Sequence, residues 1–121
     1  MTRGLSRLRH PNLALDPPPG FTLAEWLSKR PLAPIEARRL ARDVCAGLLH
    51  AHAQGLVHGR LGPDAIVEDG QHWVVCGLDG AGRDADPRDD VRGVGALLYQ
   101  ALTGAAPPPE PAAAGRAARR A

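Results

Sequence analysis

The stretch "GLVHGRLGPDAIVED", residues 55 to 69, sets a histidine, His58, in a loop between two apolar runs. A loop of this shape would suit phosphoryl transfer if it carried a carboxylate base and ligands for a metal ion. Past His58 stand Arg60, a cation that cannot act as a base, and then Gly62 and Ala65, which offer no side chain to a phosphate or a metal. Metal chemistry from the other candidates is equally poorly supported. His50 and His52 are two apart on a helical stretch, about 200° around the axis, so they cannot share an ion. Adding His72, Cys45 and Cys76 gives no recognised ligand spacing. The acidic run Asp84, Asp86, Asp89 and Asp90 invites a calcium loop, but a loop starting at Asp84 has Asp89 where glycine is needed and Gly95 where glutamate is needed. Helix capping accounts for most of that cluster.

The elements that must position these residues are legible in outline. "DPPPG", ending at Gly20, can be neither helix interior nor central strand. In "FTLAEWLSKR", Thr22 is an N-cap, Glu25 completes a capping box and Phe21 can staple against Trp26. "APIEARRLARDVCAGLLHAHAQG" is the longest helix, with Pro34 at its first position and Gly55 at its stop. Its apolar stripe is Ala37, Leu40, Ala41, Val44, Leu48 and Ala51, with Arg38, Arg39, Arg42 and Asp43 mostly off it. Gly47 costs roughly 1 kcal/mol against alanine there, which a second helix crossing at that point would offset. "GLVH", "AIVED" and "QHWVVCGL" read as short β segments, the last two joined by a tight turn at Asp69-Gly70. A further helix opens with Asp86 as N-cap, Pro87 and Asp89 in its first turn, and closes at Gly104. Val91, Val94, Leu98, Ala101 and Leu102 form its expected apolar face, with Gly93 and Gly95 leaving room for close packing.

Four of these segments, in order, resemble the C-terminal lobe of protein kinases, the bacterial Ser/Thr type above all. "LRHPNL" is similar to the segment after the regulatory helix, "FTLAEWL" to the helix after the hinge, and "LLHAHAQGLVHGRLGPDAIV" to the long helix entering the catalytic loop. "DDVRGVGALLYQALTG" is similar to the central buried helix. In that family the loop reads H-R-D-L-x-x-x-N. His58, Leu61, Pro63 and Ile66 match the pattern. Arg60 stands at the catalytic aspartate, Gly62 at the following lysine and Ala65 at the metal-binding asparagine. The D-F-G aspartate would fall in "GLDG", where Asp79 is displaced by one residue or else followed by Gly80 and Ala81 in place of Phe and Gly. Seven residues precede "LRHPNL", without a Gly-rich loop or strand lysine, and nine residues between Gly80 and Asp90 replace the activation segment.

The resemblance implies an α+β, mainly helical fold: a truncated kinase-like C-lobe with a small β-hairpin, over residues 21–104. Residues 1–20 form an N-terminal remnant and Pro-rich connection, and 105–121 a disordered Pro/Ala/Arg tail. It further implies that His58 and Asp90 are structural, Asp90 holding the backbone of the loop, and that no catalytic residue survives. Asp79 is the one weak candidate for cofactor binding, and Arg60 is a candidate ion-pair partner for Asp79 or Asp90. The expected activity is that of a pseudokinase, a binding or scaffolding module in signalling without a cofactor. The alternatives are an active Ser/Thr kinase using ATP and Mg²⁺, completed by missing sequence or another chain, and a soluble fragment of a membrane-associated regulator.

Composition narrows the partners. The 121 residues carry a net charge of +2, all of it from Arg116, Arg119 and Arg120 against Glu110 in the tail; the first 104 residues hold 12 charges of each sign. A balanced body with few aromatics argues against a nucleic-acid surface. Cys45 and Cys76 form no disulfide framework and read as two buried thiols in a reducing, cytoplasmic setting. No apolar run of about 20 residues suggests a membrane span. Apolar surface left open by the missing lobe points to a protein partner or self-association.

Overall fold

A computed structural model describes residues 9–78 and 85–108. Asp79, the glycines after it and the tail from residue 109 lie outside the described residues. The described residues form a small α+β structure with three helices and a three-stranded antiparallel sheet: β1 (Phe21–Thr22), α1 (Leu23–Leu27), α2 (Pro34–Ala53), β2 (Ile66–Glu68), β3 (Trp73–Val75) and α3 (Pro87–Thr103), with a 3₁₀ turn at Pro63–Ala65. None of the helices among the described residues is long and apolar enough to cross a membrane.

The helix ends follow from local chemistry. Thr22 Oγ1 accepts the Glu25 amide at 3.1 Å and Glu25 Oε1 accepts the Thr22 amide at 3.2 Å, a reciprocal cap that starts α1. The Phe21 and Trp26 rings meet edge-on, with centroids 6.4 Å apart, as a staple. In α2, Pro34 begins the helix while Glu36 reaches back to the Ala33 amide at 2.8 Å. Glu36 also takes a two-pronged bond from Arg30, and this pairing, followed by the Ala33 amide, lowers its pKa to about 2. In α3, Asp86 accepts the Arg88 amide at 2.9 Å, and Gly104 closes the helix at φ +79°, a left-handed turn that glycine adopts without strain.

The sheet is larger than a hairpin. β2 and β3 pair across the Asp69-Gly70 turn, where the Asp69 carboxylate accepts the amides of Gln71 and His72. β1 adds to the far side of β2 in the register Phe21 with Glu68. The outer edge of β3 is covered by residues 12–14: the Val75 amide donates to Asn12 O and the Ala14 amide to Val75 O, both at 2.9 Å. Covering this edge removes a row of groups that would otherwise pair with another chain. Residues 12 and 13 are thereby part of the core, with Leu13 4% exposed.

Leu40, Val44, Leu48, Ile66, Trp73, Val75, Leu97 and Ala101 belong to one apolar cluster between α2, α3 and the sheet. Each large side chain so buried contributes about 1.5–3 kcal/mol. Several expectations are corrected by the packing. "GLVH" makes no strand beyond a single bridge at Val57, because the amides at 58 and 59 are engaged by a carboxylate instead of a ladder. Asp43 is buried, since it accepts the Trp73 amide from β3 at 3.0 Å. Cys45 is exposed and only Cys76 is buried. On α3 the inward residues are Asp90, Leu97 and Ala101, whereas Val91 and Leu102 are 67% and 47% exposed. Val94, Leu98 and Ala101 pack against the core as expected, so the buried face is turned only part of the way from the purely apolar expectation, far enough to bring Asp90 inward.

No helix crosses at Gly47. A Cβ there would stand 2.2 Å from the backbone oxygen of Asn12, so the N-terminal segment fills that position. Gly93 faces the Leu61 side chain, while a Cβ on Gly95 would meet nothing within 4 Å. Gly47→Ala is therefore expected to destabilise the protein by about 1–3 kcal/mol despite better helix propensity, and Gly95→Ala to stabilise it by up to about 1 kcal/mol. Urea midpoints of the two variants, moving in opposite directions, check this.

Candidate functional site

The loop following α2 is held from three sides. Asp90, 1% exposed in the first turns of α3, accepts the His58 amide on Oδ2 at 2.9 Å and the Gly59 amide on Oδ1 at 2.8 Å. His52, near the end of α2, places Nε2 2.8 Å from the same Oδ2. The end of α2 and the loop after it thus converge on one carboxylate more than 30 residues away in sequence. The His58 ring makes the next link: the Arg60 amide donates to Nδ1 at 3.1 Å, which leaves Nε2–H to donate to the Cys76 carbonyl at 2.7 Å. That fixes one tautomer and ties the loop to the end of β3.

A second polar group of the same kind holds β3 itself. The Asn12 side-chain amide donates to Trp73 O at 2.9 Å and Asp43 Oδ2 accepts Trp73 N–H, so both backbone groups of one residue are met by buried side chains. Neither Asn12, Asp43 nor His52 stood out in the sequence as a positioning residue. Their partners lie 30 or more residues away, so no local pattern marks them.

Between this loop, the end of β3 and residues 15–17 lies a cleft of about 880 Å³. Arg60, Gly62 and Ala65 line it together with His58, Leu56 and Leu78. The exposed Arg60 makes no ion pair with Asp90, whose oxygens are taken by the loop amides and His52. Its other proposed partner, Asp79, lies outside the described residues. The cleft wall also carries the carboxylates of Asp16 and Asp64, whereas Arg60, Gly62 and Ala65 present to it a guanidinium, a bare glycine and a methyl group. Among the described residues no three His, Cys, Asp or Glu side chains converge to hold a metal ion. Cys76, also in the cleft wall, is buried, and burial pushes its thiol up to about 11.

No family model matches the chain. It is similar to the serine/threonine-protein kinase PknL of two strains of Mycobacterium tuberculosis and to that of Mycobacterium bovis, in each case 34% identical over 131 positions. The match takes in 82% of this chain but 32% of the relative, so the chain spans about a third of the length of the curated relatives it matches. Because 131 positions exceed the 121 residues of the chain, the alignment opens gaps within it. This similarity supports a kinase-like relationship.

Two measurements check the site. Asp90→Ala leaves the two loop amides without an acceptor, and at about 1–3 kcal/mol for each the expected loss is roughly 3 kcal/mol. Hydrogen exchange at His58 and Gly59 should rise with it, whereas Arg60→Ala should stay within about 0.5 kcal/mol of wild type. For the thiols, iodoacetamide at pH 8 should add once, at Cys45, in the folded protein. Cys76 is ionised there in only about one molecule in a thousand and reacts after denaturation, which intact-mass spectra with and without urea distinguish.

Proposed function

We propose that this chain is a kinase-like module that keeps the scaffold of the catalytic loop without its phosphoryl-transfer chemistry, acting through binding. The observation that carries this reading is the division of labour in the loop. The groups that hold its shape are the His58 and Gly59 amides on Asp90 and the His58 ring on Cys76. The positions that would supply chemistry are Arg60, Gly62 and Ala65, and all three line the cleft. A guanidinium cannot accept the proton of a substrate hydroxyl and the Ala65 methyl cannot hold a metal ion, so the carboxylates in the cleft wall are those of Asp16 and Asp64, at other positions. With His58 and Asp90 as positioning residues and no cofactor called for by this reading, the module is expected to act on a protein partner.

What the mycobacterial relatives are called favours the competing reading, a Ser/Thr protein kinase, here using ATP, completed by missing sequence or another chain, with Asp79 as its candidate cofactor-binding residue. The two separate in a phosphotransfer assay with radiolabelled ATP, Mg²⁺ or Mn²⁺ and a generic basic protein, run beside thermal unfolding with and without nucleotide. The scaffold reading expects no transfer and no shift of the midpoint at millimolar ATP, since a ligand that binds the folded state must stabilise it. Transfer that disappears in Asp79→Asn would overturn it.

A further inference from the structure

A second surface, sharing no lining residue with the cleft, runs across α1 and the first half of α2. Three hollows join along it. The first, about 300 Å³, is lined by Phe21, Glu25, Trp26 and Lys29 among others; the second, about 260 Å³, by Trp26, Ile35, Arg39 and Trp73 with the carboxylates of Glu36 and Glu68; the third, about 560 Å³, by Ile35, Arg38, Arg39 and Arg42. Trp26 belongs to the first two hollows and Ile35 and Arg39 to the last two, so the three adjoin along one surface groove. Its apolar ridge is open to solvent: Phe21 is 61% and Ile35 77% exposed. The Trp26 indole N–H is itself buried and has no hydrogen-bond partner among the described residues.

The charges set the sign of what fits. No carboxylate lines the third hollow. The acids that line the first two hollows each have a partner within the chain: Glu25 accepts the Thr22 amide, Glu36 pairs with Arg30 and the Ala33 amide, and Glu68 accepts the Gly70 amide, which leaves the arginine face of the third hollow as the part open to a carboxylate. Of the arginines, Arg39 donates to Gln71 O at 2.6 Å, and Arg42 lies 3.7 Å from the buried Asp43 with its own side chain 78% exposed. Arginine forks match carboxylates in a planar, two-pronged geometry, and arginine with aromatic residues is the usual makeup of protein interfaces.

We propose that this groove docks an acidic peptide segment of a partner protein, with an aliphatic or aromatic side chain seated against Trp26 and Ile35 and carboxylates on Arg38, Arg39 and Arg42. The chain's own end, with Arg116, Arg119 and Arg120 against Glu110, has the wrong charge to fill it. Three arginines within five residues on a charge-balanced body are too short a stripe to track a phosphate backbone.

Fluorescence anisotropy on the full chain tests the groove, with labelled peptides alternating glutamate and leucine, glutamate and serine, or lysine and leucine. The expected result is binding of the glutamate-leucine peptide alone, weakened by salt. Affinity should fall about tenfold in Arg38→Glu with Arg42→Glu, and by a similar factor in Ile35→Ser. Ile35 is exposed and the Arg42 side chain largely so, and unchanged circular dichroism of the variants secures the comparison. Arg60→Glu, in the cleft, should leave binding as it is, which separates failure of this proposal from failure of the scaffold reading. Absence of binding, equal binding of the serine or lysine peptide, or tighter binding of a single-stranded RNA would overturn it. So would a concentration-dependent dimer in sedimentation that the arginine substitutions abolish, since the groove would then serve a second copy.

Discussion

A carboxylate taken out of water must find donors to replace its hydration, and the position of Asp90 is governed by that requirement. At 1% exposure its two oxygens are met by the amides of His58 and Gly59 and approached by His52. The end of α2, the loop after it and the start of α3 therefore have one mutually consistent arrangement. The rotation of α3 follows: with Asp90 inward, Leu97 and Ala101 face the core and Val91 is turned to solvent. The partial positive charge at the helix start also favours an acid in this region.

From that point the polar links continue in series. His58 carries the connection from the loop to the Cys76 carbonyl, and Asn12 and Asp43 carry it from β3 to the N-terminal segment and α2. Every one of these bonds joins a side chain to a backbone group, so each fixes the path of the chain as well as satisfying a polar atom. Apolar burial supplies most of the stability, but it is tolerant of small slides. Buried polar bonds, costly when broken, select one register among the packings that burial alone would allow.

What could be read from the sequence was what depends on near neighbours. The Thr22 and Glu25 cap, the Asp69-Gly70 turn, and the Asp86, Pro87 and Gly104 boundaries of α3 each rest on residues within a few positions of one another. The inward turn of Asp43, the contact of Gly47 with Asn12 and the exposure of Cys45 depend on which side of α2 meets the sheet and the N-terminal segment. Apolar periodicity marked the stripe on α2 but assigned a charged residue to its outer face by default, because a buried aspartate bonded to a strand amide leaves no periodic mark. β1, two residues long, is too short to show any alternation. In the site, residue types at 58, 60, 62 and 65 were legible because chemistry depends on type. The role of His52 was not, since Asp90 lies 38 residues on.

The loop also shows why its chemistry and its shape can change independently. The bonds that hold it use the amides of residues 58 and 59, which every non-proline residue offers, and the ring of His58. The next bonds along the chain, Ala65 N–H to Gly62 O at 2.9 Å and Cys76 N–H to Ala65 O at 2.7 Å, are backbone alone. No side chain at 60, 62 or 65 takes part in any of them. Replacement at these positions therefore alters what the cleft wall can do while leaving its supports in place, whereas replacement at Asp90 or His58 removes a support outright. A cleft lined by Arg60, Gly62 and Ala65 on an intact framework is the arrangement that such separable constraints permit.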